Sequence, residues 1–495
     1  MSESQANFLP GELSVDAVIL TNPEGETINL LPITGRIDIF EGIDEPFLHG
    51  RITVVDALGI ADDYKIFGQE SISIRYRVKE NKGNFSKFIE KTFRTYKITN
   101  VNNSDYNTYS YAIHFIDPKF FICENSRISK TLRGSYSEML LQTLSKDARF
   151  EKLPNKIGVD FWDKSVPEKH QLVCPNWSLN ELIEYIVTNA NHANDSVFKN
   201  SMFFFQTMIG GFRFMSLDKM LSGDNELISK FDYQPRNINL NQEDIPTEAD
   251  GGQSARILDF EIQTKTDTLR GTTRGAYSSV LKTYDPIRKV EKEIYFDLAE
   301  NYKRSKNKHL SGFPPIRLDD DEVIFDGEPG VGSLGDIEGK EREVDYAPNK
   351  NYLRGAKTHY KVNHTNAFSD EAKLVDGSGK VNIEQYVGNE FLDDAILERE
   401  AMLELLSQNV LKMTIPYRQD LAVGTIINAS IPTGKQNGSQ SPLNDNRYLV
   451  TKIRHVVQPL DYKGTMVIQC VKESFAADIK EVKALDEYEG PNIDE

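Results

Sequence analysis

Gly330-Val-Gly332-Ser-Leu-Gly335 spells GxGxxG, the spacing with which a strand-to-helix turn offers backbone amides to a pyrophosphate. That chemistry needs an apolar-faced helix after the glycines. Here Asp336-Ile-Glu-Gly-Lys-Glu-Arg-Glu follows, so a phosphate would meet negative charge instead of a bare helix N-terminus. Gly339-Lys340 precedes Glu341, not the Ser or Thr of a Walker loop. Asp319-Asp-Asp-Glu322 lacks the alternating ligands and turn glycine of an EF-hand loop and reads as a solvated run. The eight histidines are scattered. His359 and His364 are spaced wrongly to share a helix face, and His114 falls on the polar side of an alternating strand. No HExxH, GxSxG or local Cys–His signature occurs. Carboxylates are so numerous that a glycosidase-type pair would show only in geometry. The residues predict no catalytic site, no cofactor, no metal and no enzyme.

The formal net charge is −17. A surface that neutralises phosphates must be basic, so specific nucleic-acid binding is not expected. Much of the charge sits in two blocks. Residues 316–345 hold eleven acidic and three basic side chains, and residues 476–495 hold seven and two. Both read as solvated segments outside any core. No apolar run reaches the ~18 residues of a membrane span. The N-terminal stretch shows no signal-peptide pattern. Cys123, Cys174 and Cys470 form no CxxC pair and fit small buried thiols in a reducing cytosol.

The elements that would position any site are mostly strands. Ser71-Ile-Ser-Ile-Arg-Tyr-Arg-Val alternates with Ile72, Ile74, Tyr76 and Val78 in register. Arg51–Asp56 places Ile52 and Val54 on one face, and Tyr109, Tyr111, Ile113 and Phe115 do the same. After Asn125 the period lengthens. Ser135…Glu138 and Ser178…Glu181 have capping-box spacing ahead of leucine- and isoleucine-rich faces, so each predicts a helix start. Met202-Phe-Phe-Phe and Gly211-Phe-Arg-Phe-Met predict a hairpin around Gly210–Gly211. β pattern returns near Ala255, with Leu258, Phe260 and Ile262 on one side. Residues 300–390 read as an insertion. Phe391–Val410 is the longest helical candidate, with Phe391, Leu392, Ile396, Leu397, Leu403 and Leu406 on its apolar face.

A weak internal repeat is present. Tyr96-Lys-Ile-Thr and a following Asp105-Tyr106 parallel Tyr448-Leu-Val-Thr and Asp461-Tyr462. Upstream, Phe67-Gly-Gln-Glu-Ser-Ile-Ser-Ile parallels Val423-Gly-Thr-Ile-Ile-Asn-Ala-Ser-Ile.

Five phrases occur in an order that resembles the central baseplate hub protein of contractile-tailed bacteriophages, and the hub portion of VgrG-type secretion spikes. They are Ile37–Ala57 with Phe67-Gly-Gln-Glu; Ser126-Arg-Ile-Ser-Lys with the Tyr136 helix; Asn176-Trp-Ser-Leu-Asn-Glu with the Phe203 hairpin; Gly271–Asp285; and Leu421-Ala-Val-Gly-Thr-Ile-Ile with Tyr448–His455. The resemblance implies a mainly β chain with α+β: two similar antiparallel β-barrels, a helical α+β domain and an irregular insertion. The expected units are a leader (1–12), a first barrel (13–125), the α+β domain (126–230), the first part of a second barrel (231–299), the insertion (300–390), a helix with the rest of that barrel (391–475) and an acidic tail (476–495).

The implied function is a structural one. Three chains form a ring with pseudo-sixfold symmetry that joins a sixfold tail tube to a threefold spike. The implied partners are further copies of the chain, the central spike, tube or tube-initiator proteins and surrounding wedge proteins, in a virion baseplate assembled in the bacterial cytoplasm. Phe47, Leu48, Pro416 and Tyr417 are the residues assigned to the partner interface. Alternatives are the hub of a non-phage contractile injection system and a tail-associated peptidoglycan hydrolase with carboxylates in 126–230 or 300–390.

Overall fold

The computed structural model describes residues 11–57, 59–60, 64, 66–79, 85–105, 108–150, 153–154, 156–158, 161–166, 170–192, 201–222, 226–233, 255–264, 267–285, 290–298, 310, 357–362, 367–368, 393–431 and 446–474. The Gly330 motif, the Asp319 run, His364 and both acidic blocks lie outside the described residues.

The first segment is β throughout: β1 (Leu13–Thr21), β2 (Thr27–Asn29), β3 (Thr34–Gly42), β4 (Glu45–Asp56), β5 (Ser71–Val78), β6 (Ile89–Asp105) and β7 (Thr108–Ile116). Alternation decides which face is buried. Ile72, Ile74, Tyr76 and Val78 turn inward along β5, and Tyr111, Ile113 and Phe115 along β7, whereas Tyr109 is exposed. Each such side chain contributes ~1.5–3 kcal/mol of burial.

The second segment holds α1 (Lys119–Asn125), β8 (Arg127–Ile128), β9 (Thr131–Gly134), α2 (Tyr136–Leu144), β10 (Ser165–Val166), β11 (His170–Val173), β12 (Trp177–Ser178), α3 (Leu179–Asn189), β13 (Asn191–His192), β14 (Met202–Thr207), β15 (Gly211–Ser216) and α4 (Leu217–Leu221). Both predicted capping boxes form: Ser135 and Ser178 each accept the N3 amide, and Glu138 and Glu181 reach back to the cap amides. The β14–β15 hairpin is buried on both faces. Its Phe204, Phe212 and Phe214 join the core of this segment, and its Phe203, Phe205 and Met215 join the core of the main sheet. Cys123 places α1 in the core of the second segment.

The third segment comprises β16 (Glu226–Tyr233), β17 (Arg256–Ile257), β18 (Asp259–Thr264), α5 (Thr268–Thr273), β19 (Ser278–Asp285), β20 (Val290–Asp297), β21 (Lys357–Val362), β22 (Ala367–Phe368), α6 (Asp393–Gln408), β23 (Val410–Pro416), β24 (Ile426–Ser430), β25 (Asn446–Gln458) and β26 (Lys463–Val471). Two strands, β21 and β22, fall within the stretch expected to be a loop-rich insertion. β21 completes a small sheet with β19 and β20, and β22 pairs with β11. The buried face of α6 is Leu397, Ala401, Met402, Leu405 and Leu406, while Ile396 and Leu403 are only partly buried.

Fourteen strands from the first and third segments form one sheet along the path β17-β16-β24-β25-β3-β4-β7-β6-β5-β1-β2, with β26 on β25, β23 on β26 and β18 on β23. Among the described residues no ladder closes this sheet into a barrel. β1 and β26 meet only through the isolated bridge Glu12–Lys463 and the neighbouring bonds Leu13 N–H to Tyr462 O and Gly464 N–H to Gly11 O. No helix among the described residues is long and apolar enough to cross a membrane.

Candidate assembly interface

One strand arrangement occurs twice. β3 to β7 lie side by side in the order β5-β6-β7-β4-β3. β18 and β23 to β26 lie in the order β24-β25-β26-β23-β18. Every neighbouring pair is antiparallel, and strand for strand the chain order is the same. One irregularity coincides as well, while β6 carries two further shifts, at Thr99/Asn102 and Asn103/Asp105, that β25 lacks. Against β7, β6 shifts register between Thr95 and Lys97, and against β26, β25 shifts between Val450 and Lys452. Just before each bulge an amide donates to the start of the neighbouring strand: Thr95 to Glu70 O and Val450 to Thr425 O, both 2.9 Å. Gly68 and Gly424, ahead of those strands, have φ of +85° and +79°.

The bulges set the equivalence of side chains. Lys97, His114, Arg51 and Asp38 face one another across four strands of the first copy. Lys452, Gln469, Lys412 and Glu261 do so in the second. Asp38–Arg51 and Glu261–Lys412 are corresponding ion pairs, at 3.1 and 3.6 Å. Tyr96 therefore corresponds to Thr451. The Tyr448 phrase stands three residues off this alignment, and Gly424 stands one residue off Gly68, since Glu70 corresponds to Thr425.

The two copies are joined at a seam. Asn446–Leu449 of β25 pairs with β24, and where β24 stops, β3 takes over: Lys452–Val457 pairs with Gly42–Ile37. Asp38 lies buried on this seam. It accepts from Arg36 Nε (2.9 Å), Arg51 Nε (3.1 Å) and Arg454 Nε and Nη2 (3.1 and 3.0 Å). Burial pushes its pKa up, but the bonds from Arg454 and Arg51 and the nearby guanidinium charges outweigh that, and the carboxyl titrates below its ordinary value. Glu41, also buried, accepts the amides of Met208 (2.8 Å) and Val423 (3.2 Å), tying the β14–β15 turn and the second copy to β3. Its Oε1 lies 3.7 Å from Nε2 of buried His455.

Phe47, Leu48, Pro416 and Tyr417 all lie buried within the single chain. Phe47 meets the rings of Phe120 and Phe212 edge-on, at 5.9 Å each. The Leu48 amide donates to Gln206 Oε1 at 3.1 Å. Pro416 ends β23 opposite Thr465. The Tyr417 hydroxyl lies 2.6 Å from that of Tyr76, and burial raises the pKa of both phenols. These residues bind the chain's own segments together. Asp38, Arg454 and Glu41 were not apparent in the sequence, because the bonds that join the copies, Arg454 to Asp38 and Val423 to Glu41, span 416 and 382 residues.

A Ser/His/Asp/Lys set does occur in the α+β segment. Asp163 Oδ2 accepts the Ser216 amide (2.8 Å) and hydroxyl (3.0 Å), Lys219 Nζ lies 2.9 Å from Oδ1, and His192 Nε2 lies 3.9 Å from Oδ2. Ser216 gives its proton to the carboxylate and caps α4 through the Lys219 amide. That is the geometry of a helix clamp, not of a serine nucleophile hydrogen-bonded to a general base. Among the described residues no His/Cys/Asp/Glu group of three could hold a metal ion.

No protein-family model and no curated protein matches the chain. Solved structures do. The tail protein from Neisseria meningitidis MC58 is 9% identical with a TM-score of 0.43, covering 92% of this chain and 96% of that one. The 43 kDa tail protein of prophage MuSo2 from Shewanella oneidensis is 9% identical with a TM-score of 0.45, covering 92% and 98%. A Francisella PdpA-VgrG complex is 8% identical with a TM-score of 0.39, covering 93% of this chain and 58% of that one. The structural neighbours of this chain are thus phage tail proteins and VgrG-related secretion proteins, at low sequence identity.

Proposed function

We propose that the chain is a structural hub subunit at the centre of a contractile-tail baseplate. Three copies form a ring that joins a sixfold tail tube to a threefold spike, and each chain contributes two similar β-barrels. The observation that carries this reading is the repeated five-strand arrangement. Three chains can meet six equivalent tube subunits only if each offers two similar surfaces. Two copies of one arrangement, fused edge to edge through the β25–β3 seam, supply that pair. The ordered phrases from Ile37 to His455 support the same reading. The partners are then the tube or its initiator, the spike and wedge proteins, in a virion tail assembled in the host cytoplasm, and the chain performs no reaction. Native mass measurement of the purified protein, alone and with its cognate spike, tests it. Three copies are expected; a monomer in both samples contradicts the proposal.

A further inference from the structure

We propose that neighbouring chains join by pairing β18 of one with residues 97–103 of β6 in the next, repeating between chains the β3–β25 seam made within each. This rests on the ring reading above and specifies which edges close it.

The internal seam supplies the template. β3 is the outermost strand of the first copy, and it pairs across to Lys452–Val457 of β25 in the second. The strand that corresponds to β3 is β18. β23 covers one edge of β18, and among the described residues no ladder covers the other. The stretch that corresponds to Lys452–Val457 is residues 97–103 of β6, which carries a bulge between Thr99 and Asn102 that β25 lacks. There β7 holds one edge, while on the other β5 pairs only with Ile89–Arg94. Among the described residues, that leaves 97–103 without a ladder on the side where its counterpart has one.

Each chain therefore presents one strand of a seam and one vacancy for it, on different copies of the repeat. Such an interface is head-to-tail and forms a ring if its rotation closes. With three chains, three seams within chains and three between them would alternate around six similar units. Bare strand edges recruit other strands, so covering both edges also removes a liability. Both edges lie open at the surface: Val101 is 63% exposed, and Lys97, Asp259 and Glu261 are also exposed. The template also fixes the register. Arg454 lies opposite Phe40 and Val456 opposite Asp38; counted across the bulges at Thr99–Asn102 and Ile262–Thr264, this transposes to Thr99 opposite Thr264 and Asn102 opposite Glu261.

Cysteine cross-linking of the full chain tests this. Asn102→Cys with Glu261→Cys, and separately Thr99→Cys with Thr264→Cys, should give disulfide-linked species of two and three chains on oxidation, and none larger. The single variants should give no three-chain species, since the native Cys123, Cys174 and Cys470 are buried. The mass of each sample is measured first. A trimeric sample in which neither pair cross-links overturns the seam and leaves the ring reading standing. A sample that stays monomeric even with the spike overturns both. A ladder running past three chains contradicts closure.

Discussion

Gly68 and Gly424 hold the same left-handed backbone at positions offset by one residue in two copies of one strand arrangement, each beside the bulge of the next strand. A Cβ at Gly68 would lie 3.2 Å from the carbonyl carbon and oxygen of Tyr96, and one at Gly424 would lie 3.2 Å from Met220 Sδ and Phe205 Cζ. An L side chain is strained at such φ by ~1–2 kcal/mol. Gly68→Ala and Gly424→Ala should each lower the unfolding free energy by about that amount, with an unchanged urea m-value. Unchanged midpoints would show that the glycines are not required there.

The Tyr76 and Tyr417 hydroxyls form a buried pair between β5 of the first copy and the residue that follows β23 of the second. Removing one leaves the other unsatisfied, at about 1–3 kcal/mol. Tyr76→Phe and Tyr417→Phe should each cost about that much. The double variant should cost clearly less than the sum, and urea unfolding of the four proteins measures the coupling. Strict additivity would mean the hydroxyls do not interact.

Asp38 couples the seam to pH. Its folded pKa lies below the ordinary value of 3.8, so its stabilisation is complete above that value and disappears as pH falls through the folded one. Glu70 behaves alike. Burial raises its pKa, but the Thr95 hydroxyl and the amides at Phe67 and Gly68 bring it below its usual 4.5. Asp38→Asn should cost about 3 kcal/mol at neutral pH, because three guanidinium groups lose their shared anion. The gap to wild type should narrow below about pH 4. Thermal unfolding across pH 3–7, roughly that span, measures it; a gap independent of pH would contradict the assignment.

Glu41→Gln keeps one acceptor oxygen for two amides. It should destabilise the chain by about 1–3 kcal/mol. It should also raise hydrogen exchange at Met208 and Val423 together, since one carboxylate holds both. Protection retained at both would show that other bonds fix this junction.

The parts of the fold legible in the sequence are local. Ser135 with Glu138 and Ser178 with Glu181 identify their helix starts, because a capping box is complete within four residues. Alternation marks β5 because period two needs no partner strand. Ala401, Met402 and Leu405 were missing from the predicted face of α6, since one apolar stripe of a mixed helix can be drawn at more than one rotation. Contacts between distant segments were less legible. Phe47 and Tyr417 have the chemistry of interface anchors, yet they serve contacts inside the chain. Asp38 and Arg454 meet across 416 residues of sequence. The repeat was visible near its glycines, one residue out of register, and slipped by three residues at Tyr448, because alternating strands look alike at several registers.

The most direct test of the central claim is an averaged particle image of the purified assembly, viewed down its axis with the cognate spike bound. The proposal predicts a closed ring of three chains showing six similar lobes, with the spike at its centre. A single-chain particle, or a ring whose rotational order is not three, would contradict it.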